Sequence, residues 1–181
     1  ILNADDYLPK DKIEKSINLL IKNPDFAYCY GDIILIDQNQ KPLFEIAGDK
    51  SYKNKIRFSM PRLNHPTVIA KKSMFEKYGI FDTQWKYAMD YDWLLRLHIN
   101  KEEGIYSQEI KVFMQEGGES SKYWVKTELE QMYISIHNGY NSVRAFSTFI
   151  FNCIKISIQK FLSIFLSQHL LILFRPGKRI L

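Results

Sequence analysis

The sequence predicts a mixed α/β fold followed by a helical C-terminal tail. Three observations carry that prediction. Segments with helical spacing of apolar residues, such as Pro9 to Lys22, alternate with short runs of β-branched and aromatic residues, such as Phe26 to Asp37. The chain has 181 residues, 46% of them hydrophobic, which suits one domain with a real core, or one domain plus an appendage, and excludes a disordered chain. Finally, residues 145 to 174 form a long apolar stretch crossed by a single polar stripe.

At the start, Ile1 and Leu2 run into Asn3-Ala4-Asp5-Asp6, and Pro9 opens the next segment. This reads as the end of a buried strand, a loop carrying carboxylates, and a helix. Asp5 and Asp6 can be loop acids stabilised by the helix dipole. They can also be paired oxygen ligands for a hard divalent cation, which would relieve the repulsion between adjacent carboxylates. In the helix that follows, Ile13, Ile17, Leu20 and Ile21 make the apolar face, and Asn23-Pro24 ends it. Phe26 to Asp37 reads as a strand bulged at Gly31. Gln38 to Pro42 is a hairpin turn and Leu43 to Ala47 the returning strand. Gly48 to Met60 is polar and basic, with Lys50, Lys53, Lys55 and Arg57, and reads as a surface loop or short helix.

Thr67 to Ala70 is a short strand and Lys72 to Tyr78 a helix closed by Gly79 in the left-handed region. The spacing of Tyr91, Leu94, Leu95 and His98 makes a further helix, with Asp90 and Asp92 in its first turn. Asp92 and Arg96 stand four residues apart and can pair on one face, whereas Asp90 has no partner in sequence. Trp85 and Trp93 read as core. Gly104 to Gln115 reads as one or two strands, and Glu116-Gly117-Gly118-Glu119 as a loop with freedom in φ. Lys122 to Tyr140 is a helix that breaks near Gly139. In 145–174, Thr148, Asn152, Lys155, Gln159, Ser163 and Ser167 form the polar stripe.

Charge and cysteine content narrow the function. Cys29 and Cys153 lie far apart and away from any His/Cys cluster, which fits a reducing compartment better than a disulfide scaffold or a zinc site. The net charge is +5, and no acid follows Glu130. Arg144, Lys155, Lys160, Arg175, Lys178 and Arg179 lie in that last stretch and point to an anionic partner. No nucleic-acid module is recognisable, so nucleic acid is not expected. No run reaches the ~18 apolar residues of a spanning helix, which leaves an in-plane helix on an anionic membrane surface, or a helix docked on protein.

Two blocks carry a resemblance. Asn3-Ala4-Asp5-Asp6-Tyr7-Leu8 resembles the metal-binding acidic motif of the family-two nucleotide-sugar glycosyltransferases, in which Asn3 stands where many members have Asp. His65-Pro66-Thr67, Gly79-Ile80-Phe81-Asp82, and Asp90-Tyr91-Asp92 with Arg96 resemble the acceptor half of that family, with Met89 where a Glu is usual. Together they cover about residues 1 to 120. The resemblance implies the later half of a GT-A-type fold over residues 1–121, with a helical, basic extension over 122–181. It implies an inverting transfer from a nucleotide-diphosphate sugar to a hydroxyl of a glycan or lipid-linked acceptor, in cell-surface polysaccharide synthesis. Asp90 would be the catalytic base, and Asp5 and Asp6 would hold Mn²⁺ or Mg²⁺. Asp5, His65, Asp92, Gly117 and Gly118 would line the donor and acceptor. The family's nucleotide-binding strands precede such a motif, so residues 1–181 alone are expected to be inactive. The enzyme is expected in the cytoplasm, at the inner face of the cell membrane. The competing class is a non-catalytic membrane-surface module derived from such an enzyme. Read without the resemblance, Asp90 is an N-terminal helix charge worth ~0.3–1 kcal/mol, and His65 a core or loop histidine.

Overall fold

A computed structural model describes residues 6–115, 122–165 and 178–179 of the chain. Asp5, Gly117 and Gly118 lie outside the described residues. The fold is a mixed sheet with helices: α1 (Lys12–Lys22), β1 (Tyr28–Ile36), β2 (Pro42–Ile46), β3 (Ile69–Ala70), α2 (Lys72–Tyr78), α3 (Met89–Ile99), β4 (Gly104–Gln115), α4 (Trp124–His137), α5 (Ser142–Phe165) and β5 (Lys178–Arg179). Two single 3-10 turns, Tyr52–Asn54 and His65–Thr67, interrupt the loops.

β1 is the central strand. β4 runs parallel to it along one edge, from Tyr28↔Gly104 to Ile36↔Gln115. The opposite edge is shared, by β3 at Tyr28 and Cys29 and by β2 at Ile33 to Ile36, both antiparallel. A strand flanked on both edges and covered on both faces needs a near-continuous apolar sequence, and β1 is buried almost throughout. β5 adds to the free edge of β2, pairing Lys178 with Glu45 and Arg179 with Phe44. The C-terminal end thus returns to the sheet, an element absent from the sequence reading.

The parallel register slips between Tyr30 and Asp32, at the bulge expected at Gly31. A Cβ on Gly31 would lie 1.9 Å from the Ile110 carbonyl oxygen, so only glycine permits this approach of β1 to β4. The bulge takes the peptide groups of Gly31 off the ladder, and side chains take them up. Its N–H donates to Thr67 Oγ1 at 2.9 Å, and its carbonyl accepts from Asn64 Nδ2 at 2.8 Å. Thr67 Oγ1 in turn donates to the Asn64 carbonyl at 2.7 Å. Asn64 sits at φ 47°, ψ 66°, a left-handed conformation that Asn tolerates better than most residues.

The core is aromatic. Tyr28, Tyr30, Tyr52, Tyr91 and Trp93 are buried in one cluster, with Tyr30 and Tyr52 edge to face at 5.8 Å. Phenol groups in it find backbone partners: Tyr30 donates to Asp49, Tyr91 to Ile56, and Tyr52 accepts from the Gly104 amide. The segment 48–60, expected on the surface, therefore inserts Tyr52 and Ile56 into the core, while Lys55 stays outside and pairs with Asp49 at 2.5 Å. Its charges made it read as a solvated loop, but two large side chains decide its position. Trp93 is fully buried and Trp85 packs against the same cluster.

Two helices are turned over relative to their sequence patterns. α1 buries Lys12, Ser16 and Leu20 against β1 and β4, while Ile13, Ile17 and Ile21 are exposed at 51, 46 and 70%. α5 packs on α4 through Ala145 and part-buried Asn152, whose Nδ2 donates to Glu128 at 2.8 Å. The described part of the polar stripe thus lies largely toward α4, and Val143, Phe146, Phe151, Ile154 and Phe161 face out. Gly79 has the positive φ expected of it, but its ψ of 170° lies outside the left-handed helical region.

Replacing Thr67 with Val keeps the shape of the side chain but leaves the Gly31 amide without its acceptor. Thr67→Val should destabilise the fold by ~1–3 kcal/mol, read as a lower urea midpoint at unchanged slope.

Candidate active site

The His65–Thr67 turn packs against both β1 and β4, so the clamp on Gly31 also positions His65. His65 stands edge-on to Phe81 with ring centroids 6.1 Å apart. Beyond it is Asp90, in the first turn of α3, close enough for its carboxylate to act electrostatically on the imidazole. Burial pushes the His65 pKa below its ordinary value, and the Asp90 charge partly opposes that. The site therefore joins a neutral imidazole and a half-exposed carboxylate from segments 25 residues apart.

α3 begins without a cap of its own: Ala88 stands at the N-cap and offers no side-chain acceptor. Glu130, on α4, supplies one. Its Oε1 accepts from the Lys86 amide at 3.1 Å, and its Oε2 from the amides of Tyr87 at 2.7 Å and Ala88 at 2.9 Å. Three otherwise open N–H groups are thus held by one carboxylate, favourable beside the positive end of a helix. This fixes the start of α3 and with it the backbone of Asp90. Sequence reasoning missed Glu130. The signal was there in the uncapped Ala88, but nothing in sequence ties position 130 to 86–88.

Asp92 points away from this site. Its carboxylate is buried and pairs with Arg96 at 3.0 Å, as their spacing suggests. Arg96 also donates to the carbonyls of Tyr78 and Ile80, locking the end of α2 to α3. Burial raises the Asp92 pKa, against the lowering by Arg96. A cavity of about 380 Å³ opens beside this pair, lined also by Phe81, Asp82 and His137.

Asp6 is buried near the C-terminal end of β4. Tyr7 exchanges two backbone hydrogen bonds with Phe113, each 3.1 Å, and the two rings stack at 4.7 Å. Among the described residues, no three His, Cys, Asp or Glu side chains gather into a metal-binding group.

His98 on α3 is likewise lowered, first by burial and then by Arg57 and Lys53. Both imidazoles bind protons less readily folded than unfolded. The stability they contribute is fully present above the unfolded value of ~6.5 and is lost as pH falls through the lower folded values. Melting curves taken downward from neutral pH should show this decline, and His65→Gln should flatten part of it. Asp90→Asn removes the charge that raises His65, so the His65 ring should titrate at still lower pH in an NMR titration. An unmoved titration would mean that the two side chains are not neighbours.

No protein-family model matches the chain. Two curated proteins are similar to it. An uncharacterized glycosyltransferase of Rickettsia typhi is 36% identical over 109 residues, which is 55% of this chain and 34% of that protein. An uncharacterized glycosyltransferase of Rickettsia prowazekii is 37% identical over 100 residues, covering 50% of this chain and 31% of its own length. The chain spans about a third of the length of these relatives. Over about half of its own length it is thus similar to proteins named as glycosyltransferases, and its mixed α/β sheet is compatible with a glycosyltransferase fold.

Proposed function

We propose that the chain is the metal- and acceptor-binding part of a family-two, GT-A-type glycosyltransferase that moves a sugar from a nucleotide-diphosphate donor to a hydroxyl, with inversion. The observation that carries the reading is Asp90: a half-exposed carboxylate in an immobilised helix turn, near a half-buried histidine, within the block that resembles the family's acceptor motif.

Asp90 accepts the proton of the acceptor hydroxyl as that oxygen attacks the anomeric carbon. The bond from that carbon to the diphosphate oxygen breaks in the same displacement, so the configuration inverts without a covalent intermediate. His65, kept neutral by burial, lines the acceptor side without setting a positive charge against the base. Asp5 and Asp6 are hard oxygen donors suited to Mn²⁺ or Mg²⁺, which when bound supplies counter-charge for the leaving diphosphate. Asp92 supports the site by holding Arg96 and the 78–80 segment in place.

In the protein at its full natural length, Asp90→Asn should lower turnover by ~10²-fold or more, with donor affinity little changed. Near-normal turnover would remove Asp90 from the mechanism. Asp6→Ala or a chelator should weaken donor binding and abolish transfer together; activity in excess chelator would make the acids structural.

The same proposal places the protein at the inner face of the cell membrane, in the synthesis of a cell-surface polysaccharide. Among the described residues no helix is long and apolar enough to cross a membrane. α5 nevertheless turns an apolar face outward, with Arg144, Lys155 and Lys160 on the same helix and no acid in the sequence beyond Glu130. An in-plane helix on anionic lipid satisfies both features. Lys155→Gln with Lys160→Gln should weaken sedimentation with anionic liposomes by ~10-fold or more, most at low salt. Self-association with no liposome binding would assign the face to a second copy instead.

A further inference from the structure

Beside the start of α3 lies a cluster of aromatic rings and lysines. Tyr87, three residues before Asp90, and Tyr123, just before α4, have ring centroids 5.3 Å apart. Lys86 lies over Tyr87 at 5.5 Å, Lys122 over Tyr123 at 5.4 Å, and Lys126 between them, 5.2 Å from Tyr123 and 5.9 Å from Tyr87. The neighbouring Trp124 carries Lys160 of α5 at 5.3 Å. Among the described residues, none of Lys86, Lys122 and Lys126 is in an ion pair. The nearest acids of α4 are engaged elsewhere, Glu130 with the amides of 86–88 and Glu128 with Asn152.

We infer that this cluster binds the diphosphate of a lipid-linked saccharide acceptor and so presents the acceptor hydroxyl to Asp90. The inference rests on the transferase reading above. Three ammonium groups gathered at two rings, in no ion pair among the described residues, suit a compact, multiply charged anion. Position argues for the lipid-linked form. The cluster leads from the start of α3 on one side, through Trp124 and Lys160, to α5 and its exposed Ile154, Ile158 and Phe161 on the other. A molecule with an apolar tail, a diphosphate and a sugar has the same order of parts.

The test is sedimentation of the full chain with neutral phosphatidylcholine vesicles carrying a polyprenyl diphosphate. Vesicles carrying phosphatidylglycerol at equal surface charge are run beside them. The chain should favour the diphosphate vesicles, and K86Q/K122Q/K126Q should lose ~100-fold in that binding. A control triple of exposed lysines elsewhere, K10Q/K41Q/K101Q, should stay near wild type. All six lysines are exposed, and matching melting curves exclude unfolding as the cause. Equal binding to both kinds of vesicle, or equal losses in the two triples, overturns the inference. Because binding is read without donor or transfer, the two readings fail separately. An intact K86Q/K122Q/K126Q alongside an inactive Asp90→Asn sinks the cluster alone, and the reverse pattern sinks the base alone.

Discussion

The uptake of Gly31 by Asn64 and Thr67 is the contact on which the rest of this structure depends. A bulge in a central parallel strand leaves an amide and a carbonyl off the ladder in a dry interior, and each would be costly without a partner. Here both partners come from one turn, 33 and 36 residues away in sequence. The same turn carries His65, so satisfying the sheet and placing the imidazole are one event. Asn64 also donates to the Ile46 carbonyl at 3.0 Å, which ties the β1–β2 hairpin to the site.

A second device acts from the other side. Glu130 holds the amides of 86–88 and Arg96 holds the carbonyls of 78 and 80, so the segment between α2 and α3 is fixed at both ends by charged side chains. Both are charge-assisted hydrogen bonds to backbone, stronger than neutral ones and strict in geometry. Phe81, inside that segment, touches both His65 and the Trp93 core. Asp90 thus stands on a helix whose start is bound to α4 and whose interior residues are buried.

α1 and α5 show why an apolar face is not always the inner one. Lys12 and Ser16 turn inward on α1, where Ser16 Oγ donates to the Lys12 carbonyl and burial lowers the Lys12 amine pKa. Asn152 turns inward on α5 to meet Glu128, whose carboxyl is raised by burial. In both helices specific polar contacts occupy the side against the protein, and isoleucines and phenylalanines remain outside. Such faces mark surfaces that suit contact with something other than water.

Local regularity was legible in the residues. Helices α2, α3 and α4, the hairpin of β1 and β2, the bulge at Gly31 and the Asp92–Arg96 pair all follow from spacing over a few positions, because backbone period and i,i+4 reach are local properties. The segments that bring His65 and Asp90 near each other were visible as motifs, but their proximity was not. What the tertiary structure alone decided is long-range: the capping of α3 by Glu130, the insertion of Tyr52 and Ile56, the return of 178–179 to β2, and the inward face of α1 and α5. A hydrophobic period states that a helix has two faces. Which face is buried depends on the partner offered there, and that partner is set by chain segments tens of residues distant.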